Sequence, residues 1–242
     1  NKKVTNNVVT NNKVTKFAFI MDKSPFLFGK LASGSTFINR LEDIKKLSSN
    51  FISGINTILV SPRRWGKSSL VEKVAETLSQ DSKIRFCIID MFNTRSEDAF
   101  YQLFSKQLIK STSNQWEEWV KTAKSLLTKI SPRISISADN ITDVDIQFEY
   151  KRNKLSEIEL LDLPEKIARS QKITLVVCID EFQNVENFDD PVGFQQKIRA
   201  QWQKHKNVVY CLYGSKRHML MQLFEKRSMP LYRFSEVIYL DK

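Results

Sequence analysis

Two short clusters in this chain have the residue types that phosphate chemistry needs: Gly66-Lys67-Ser68 and Asp180-Glu181. The first closes the run Ser61-Pro62-Arg63-Arg64-Trp65-Gly66-Lys67-Ser68-Ser69. That run follows the apolar Thr57-Ile58-Leu59-Val60 and precedes a pattern with Leu70, Val71, Val74, Ala75 and Leu78 on one helical face. A strand, a tight loop ending in Gly-Lys-Ser and a helix form the context that a phosphate-binding P-loop requires. The loop from Pro62 through Arg63, Arg64, Trp65 and Gly66 to Lys67, Ser68 and Ser69 is then the expected cradle, its backbone N–H groups attracting an anion at the helix N-terminus. Lys67 would reach the outer phosphates, and the Ser68 hydroxyl would sit on a magnesium ion. The strict pattern has glycine where this chain has Ser61, which implies ordinary dihedrals there or some strain. Taken alone, the motif is also compatible with a basic helix N-terminus whose lysine is satisfied within the protein.

The second cluster ends the continuous apolar run Ile173-Thr174-Leu175-Val176-Val177-Cys178-Ile179. Such a run, rich in β-branched residues, is expected of a strand buried on both faces. A carboxylate at the C-terminal tip of a central parallel strand lies in the crevice where such sheets bind ligands. Asp180 there can hold magnesium through its water shell, and Glu181 can orient and polarise an attacking water. An Asp-Glu pair after a strand is often only a solvated turn; the position after a core strand, downstream of a P-loop, argues for the functional reading.

Composition narrows the class. A hydrophobic fraction of 41% with 27% charged residues is ordinary for a globular protein, and no run of about 18 apolar residues could span a membrane. No signal-peptide pattern is present. Cys87, Cys178 and Cys211 fall in expected core strands without CxxC spacing, and read as small buried hydrophobes in a reducing, cytoplasmic setting. His205 and His218 lie in separate contexts without an HExxH arrangement, which argues against zinc chemistry. The net charge of +11 is partly local: Lys197, Arg199, Lys204, Lys206, Lys216 and Arg217 fall in a stretch without acidic residues. The Lys197–Arg217 segment could meet a nucleic-acid backbone or an acidic partner, or be a solvated surface.

The positioning elements follow from periodicity. Residues 1–16 repeat a Val-Thr-Asn-Asn theme and read as a polar, low-complexity arm or a non-native leader. From 17 to 242 the pattern is one core. A helix carries Leu41, Ile44 and Leu47. Strands are expected at Thr57 to Val60, Ile84 to Asp90, Ile173 to Asp180, Val208 to Tyr213 and Glu236 to Leu240. Helices are expected at Glu97 to Lys110, at Leu155 to Ser170 with Pro164 as a point of interruption, and at Val192 to Lys204. An insert at about 111–154 holds an amphipathic helix (Trp116 to Ile130) and a hairpin in which Ile134, Ile136 and Ala138 alternate, as do Val144, Ile146, Phe148 and Tyr150. Five strands separated by helices predict an α/β, three-layer P-loop NTPase sandwich: a five-stranded parallel sheet with an additional strand between the P-loop and the Asp-Glu strand, and an inserted β-hairpin.

With these motifs in place the chain resembles AAA-type ATPases, and more narrowly the prokaryotic ATPases related to the STAND switch proteins. The resemblance rests on Pro25-Phe26-Leu27-Phe28-Gly29, Phe37-Ile38-Asn39-Arg40-Leu41-Glu42, Pro62 to Leu70, Leu163-Pro164-Glu165-Lys166-Ile167-Ala168, Asp180-Glu181-Phe182-Gln183, Tyr213-Gly214-Ser215 and Pro230-Leu231-Tyr232-Arg233. It implies that Phe37 or Ile38 borders the adenine, although both also suit an ordinary core. It implies that Ser215, at a strand tip, senses the γ-phosphate, where a capping serine is the alternative. Arg64, Arg217 and Arg233 are candidates for charge compensation at that phosphate, and Arg233 is the one taken as catalytic beside Lys67, Glu181 and Ser215. The family's helical lid and output domain are not found in this sequence, so weak activity is expected of the core alone.

The expected function is Mg-dependent ATP binding and hydrolysis as a molecular switch or remodelling core. ATP and Mg2+ are the expected cofactors, with a protein partner or self-association and no membrane. A non-hydrolysing nucleotide-dependent interaction module and a nucleic-acid-dependent ATPase are the alternatives.

Overall fold

The computed structural model describes residues 40–112 and 154–240. The polar arm, Phe37 and Ile38, and the expected helix and hairpin of the insert lie outside the described residues. In chain order the elements are α1 (Leu41–Ile52), β1 (Thr57–Val60), α2 (Lys67–Leu78), β2 (Ile84–Asp90), α3 (Glu97–Thr112), α4 (Lys154–Gln171), β3 (Thr174–Asp180), a 3-10 helix (Phe182–Asn187), α5 (Pro191–Trp202), β4 (Val208–Gly214), α6 (Arg217–Glu225) and β5 (Glu236–Tyr239).

All five strands are parallel, in the order β2-β3-β4-β1-β5. The P-loop strand and the Asp-Glu strand are not sheet neighbours, as expected, but the strand in sequence between them, β2, lies at the sheet edge, and β4, later in the chain, is the one that separates them. Every residue of β1 and β4 is buried, which is why these segments read as unbroken apolar runs and not as alternation. Alternate side chains feed two cores. Ile58, Val60, Leu175, Val177, Ile179, Tyr210 and Leu212 pack with apolar residues of α3, α4, α5 and α6. Leu59, Val176, Cys178, Val209, Cys211 and Tyr213 face Leu47 and Phe51 of α1 and Leu70, Val71 and Val74 of α2. Helices therefore cover both faces, as parallel strands with right-handed crossovers require. The three cysteines are free and buried, as their strand context implies.

Local differences from the sequence reading have identifiable causes. The helix α4 runs through Pro164 without a break. Proline removes one ladder bond, but Leu160, Leu161, Leu163, Ile167 and Ala168 are all buried against the sheet, and that packing outweighs the lost bond. The helix α6 is an addition; Leu220, Leu223 and Phe224, its buried residues, have the i, i+3, i+4 spacing that marks it. The 3-10 helix after β3 carries no periodic signal that a sequence pattern could reveal.

The rim where the strands begin is fastened by Glu165. Its carboxylate accepts from the N–H groups of Lys206 (3.1 Å) and Asn207 (2.9 Å), from Asn207 Nδ2 (2.8 Å) and from Arg169 Nε (3.0 Å). Burial alone would raise this carboxyl, but the bonds from Asn207 and Lys206, with His205 nearby, hold it below the usual glutamate range. Glu165→Ala should therefore cost roughly 2–3 kcal/mol in urea unfolding at neutral pH, since it leaves buried donors unpaired. A carboxyl held low in the folded state stabilises above the unfolded range and stops doing so as the pH falls below it. The gap between wild type and variant should thus narrow on acidification.

Candidate functional site

Parallel register lines up the strand tips. Val60 pairs with Gly214 and with Tyr239, and Asp90 pairs with Asp180. The segments that follow β1, β3 and β4 therefore open onto one rim, and each delivers one part of the site.

After β1, the loop turns into α2 through Gly66, whose φ of 77° and ψ of 22° are left-handed. Arg64 also has positive φ, at 65°, while Ser61 does not. The departure from the strict motif is thus absorbed by ordinary dihedrals at Ser61. The Ser61 side chain has work of its own: it is buried, and its Oγ accepts from Lys67 Nζ at 3.1 Å. Lys67 Nζ also donates to Ser61 O (2.9 Å) and Pro62 O (2.8 Å). Burial lowers the pKa of this ammonium, and Asp180 and Glu181 oppose the shift. Ser69 is buried beneath the turn, whereas Pro62, Arg63 and Arg64 are exposed and Trp65 is half-buried.

After β3, Asp180 Oδ2 accepts from Ser68 Oγ at 2.7 Å, which brings the two sequence clusters into direct contact. Burial raises the Asp180 carboxyl; the bonds from Ser68 and from the Glu181 N–H lower it, and the carboxylates of Glu181 and Asp90 add to the rise. Glu181 itself is left-handed at φ 53°, an unfavourable conformation for a side chain of its kind. Two bonds hold it there: its N–H donates to Asp180 Oδ1 (2.7 Å), and its carbonyl accepts from the Asn184 N–H (2.9 Å) to start the 3-10 helix.

After β4, Ser215 Oγ donates to Glu181 Oε2 at 3.0 Å, and the Gln183 amide nitrogen donates to the same oxygen. Lys67, Ser68, Asp180, Glu181 and Ser215 thus form one constellation. Gln183 and Asp90 join it without having been assigned roles from the sequence. Gln183 stood inside a recognisable motif, and Asp90 could have been found as a second acidic strand tip.

Oxygen donors from Ser68 and Asp180 converge within hydrogen-bonding distance, and hard oxygen ligands of this kind suit Mg2+. The carboxylates of Asp180, Glu181 and Asp90 repel one another, and a divalent cation would offset that charge. The site residues therefore fit the metal. Among the described residues no group of three or more His, Cys, Asp or Glu side chains forms a metal-binding cluster of its own.

The arginines separate. Arg217 opens α6 just beyond Ser215, its guanidinium 5.4 Å from the centre of the Tyr239 ring, on the rim of the P-loop. Arg233 lies three residues before β5, which starts opposite the start of β1. It stacks on Tyr232 at 5.3 Å and its N–H donates to Phe224 O at 3.4 Å. That is the opposite rim from Lys67. The basic segment divides in the same way. Lys204 and Lys206 precede β4 and Lys216 and Arg217 follow it, roughly 20 Å apart at the rise of a strand. Lys197 is bound to Glu97 (2.7 Å) and Glu157 (2.8 Å), and Arg199 lies over Phe234. Among the described residues no helix is long and apolar enough to cross a membrane.

Comparison with known proteins agrees with this geometry. Residues 65–188, more than half of the chain, match the KAP family P-loop domain; the match takes in both Gly66-Lys67-Ser68 and Asp180-Glu181. Among solved structures, a Walker-type ATPase of Pyrococcus abyssi superposes with a TM-score of 0.54 at 18% identity, over 90% of this chain and 58% of that one. The ORC2 protein of Aeropyrum pernix, in ADPNP-ADP complexes, gives 0.52 at 12% identity over 84% and 48%. The Cdc6p protein of Pyrobaculum aerophilum gives 0.52 at 15% identity over 90% and 48%. Likeness at such identities shows a shared fold, and the chain spans about half the length of these relatives. No curated protein matches the chain.

Gly66→Ala should cost about 1–2 kcal/mol of stability through backbone strain alone, because a Cβ at Gly66 would meet nothing within 4 Å. Gly54 has φ of 72° and the same open surroundings, so Gly54→Ala is the control. Thermal unfolding should show similar losses for both, and nucleotide titration should show weakened binding only for Gly66→Ala.

Proposed function

Because the chain belongs to the KAP family of P-loop domains, we propose that it binds ATP with Mg2+, hydrolyses it, and uses the nucleotide state as a switch. The observation that carries this reading is the contact between Ser68 and Asp180 (2.7 Å), with Glu181 and Ser215 joined at the adjacent tips. Chance motifs would not bring these four side chains together.

In this reading the N–H groups of the loop and of the first turn of α2 bind the phosphates. Lys67 exchanges its bonds to Ser61 and Pro62 for the outer phosphate oxygens. Ser68 would ligate the metal ion directly and Asp180 would hold it through water, and that site would supply positive charge to offset the charge of the phosphates. Glu181 orients a water and accepts its proton as the water oxygen bonds to the γ-phosphorus. The bond from that phosphorus to the bridging oxygen breaks, and its electron pair leaves with ADP. Ser215 reports on the γ-phosphate through its bond to Glu181. Arg217 and Arg64, on the P-loop rim, are better placed for charge compensation than Arg233, which would act only on a neighbouring subunit or after a movement. Phe37 and Ile38 are assigned to the adenine by resemblance. The likeness to STAND-related ATPases supports the switch role, with a protein partner or further domain reading the nucleotide state.

Glu181→Gln keeps the shape of the side chain and removes the base. It should leave ATP affinity within about twofold and lower turnover by at least about 100-fold, the usual contribution of a positioned base. Lys67→Ala should abolish binding. Titration with ATP, GTP and magnesium, read with phosphate release, checks both; unchanged phosphate release by Glu181→Gln would show that the base is misassigned. ATP binding without release by the wild type would favour the non-hydrolysing interaction module.

A further inference from the structure

The Glu181 carboxylate is held by one oxygen. Ser215 Oγ and the Gln183 amide nitrogen both donate to Oε2, and among the described residues no donor reaches Oε1. Gln183 is fully buried, and its own Oε1 has no hydrogen-bond partner. A buried amide oxygen left unpaired is costly, so this placement needs a compensating reason. Gly214 indicates one. A Cβ at Gly214 would stand 1.9 Å from Gln183 Oε1, 3.0 Å from Gln183 Cδ and 3.2 Å from Glu181 Cα. Its φ is not positive, so the backbone there does not require glycine. The space does.

We propose that Gln183 is a positioning residue for Glu181, and that Gly214 is glycine in order to admit its amide. With Oε2 fixed by two donors, Oε1 is the oxygen left to receive the proton of the attacking water. The left-handed turn at Glu181 folds the chain so that residue 183 comes back beneath residue 181. The tip of β4 supplies both the room, at Gly214, and the second donor, at Ser215. A shift of that tip is therefore passed to the carboxylate through two contacts at once. The inference rests on the reading of Glu181 given above.

The test uses the full chain and compares kcat, ATP dissociation constant and Tm for three variants. Gln183→Met has similar length and no donor; it should keep ATP affinity within about twofold and lose about tenfold in kcat, a loss confined to the chemical step. Gly214→Ala should lower both Tm and kcat, because its Cβ evicts the amide. Gly214→Ala combined with Gln183→Ala should recover Tm without recovering kcat. A purely structural role for Gln183 would instead restore both together. The proposal is overturned by a kcat loss under about threefold in Gln183→Met, by an equal loss of ATP affinity, or by recovery of turnover in the double variant. An unaffected Gly214→Ala overturns it as well. If Glu181→Gln hydrolyses ATP normally, or if the wild type does not hydrolyse it, the reading of the site fails first and this inference fails with it. A normal Gln183→Met alongside an inactive Glu181→Gln sinks only the role of Gln183.

Discussion

The hydrogen bond from Ser68 to Asp180 spans two strands that are not neighbours. Since β4 lies between β1 and β3, this contact passes across the tip of β4. It can form only if the three tips end at matching heights. The register secures that: Val60 stands opposite Gly214, and Ile179 opposite Leu212. Ser215 then emerges between the two halves of the site and meets Glu181. A sheet with β1 and β3 adjacent would bring Ser68 and Asp180 together without a third tip between them, and would leave no such place for a reporter on the carboxylate.

Rigid strands make this alignment reliable. The side chains of β3 and β4 that enter the two cores hold the tips in place from both faces of the sheet. The site itself departs from comfortable structure in several ways. Glu181 is left-handed, Lys67 and Asp180 have pKa values shifted toward their neutral forms, and Gln183 carries an unpaired buried oxygen. Such costs persist only where well-packed surroundings impose them, and they gather at functional sites. The two glycines of the site answer different demands: Gly66 supplies a left-handed turn, and Gly214 supplies room.

The opposite rim has a separate character. There Glu165 ties α4 to the turn before β4; away from that rim, Lys197 joins α3, α4 and α5 through Glu97 and Glu157. Several charges that a linear reading gathers into one basic segment are spent on internal ties or divided between two ends of the molecule. Net charge is thus a weaker guide to partners here than position.

The sequence alone determined the strands, the P-loop and the acidic strand tip, because each is a local pattern: an unbroken apolar run, a lone glycine before Lys-Ser, a carboxylate pair at the end of a core strand. It also implied that the two strands are not neighbours, although the strand that separates them is β4 and not the one that lies between them in sequence. It could not rank Arg64, Arg217 and Arg233, give Ser61 a partner, or single out Gln183 and Gly214. Those properties depend on which residues meet after the chain crosses the sheet. Arg217 and Arg233 are close in sequence and sit on opposite rims, whereas Ser68 and Asp180 are far apart in sequence and touch. The physical reason is that periodicity reports the face a residue occupies within its own element, while a hydrogen bond is decided by strand order and register, which are set only when all the elements pack.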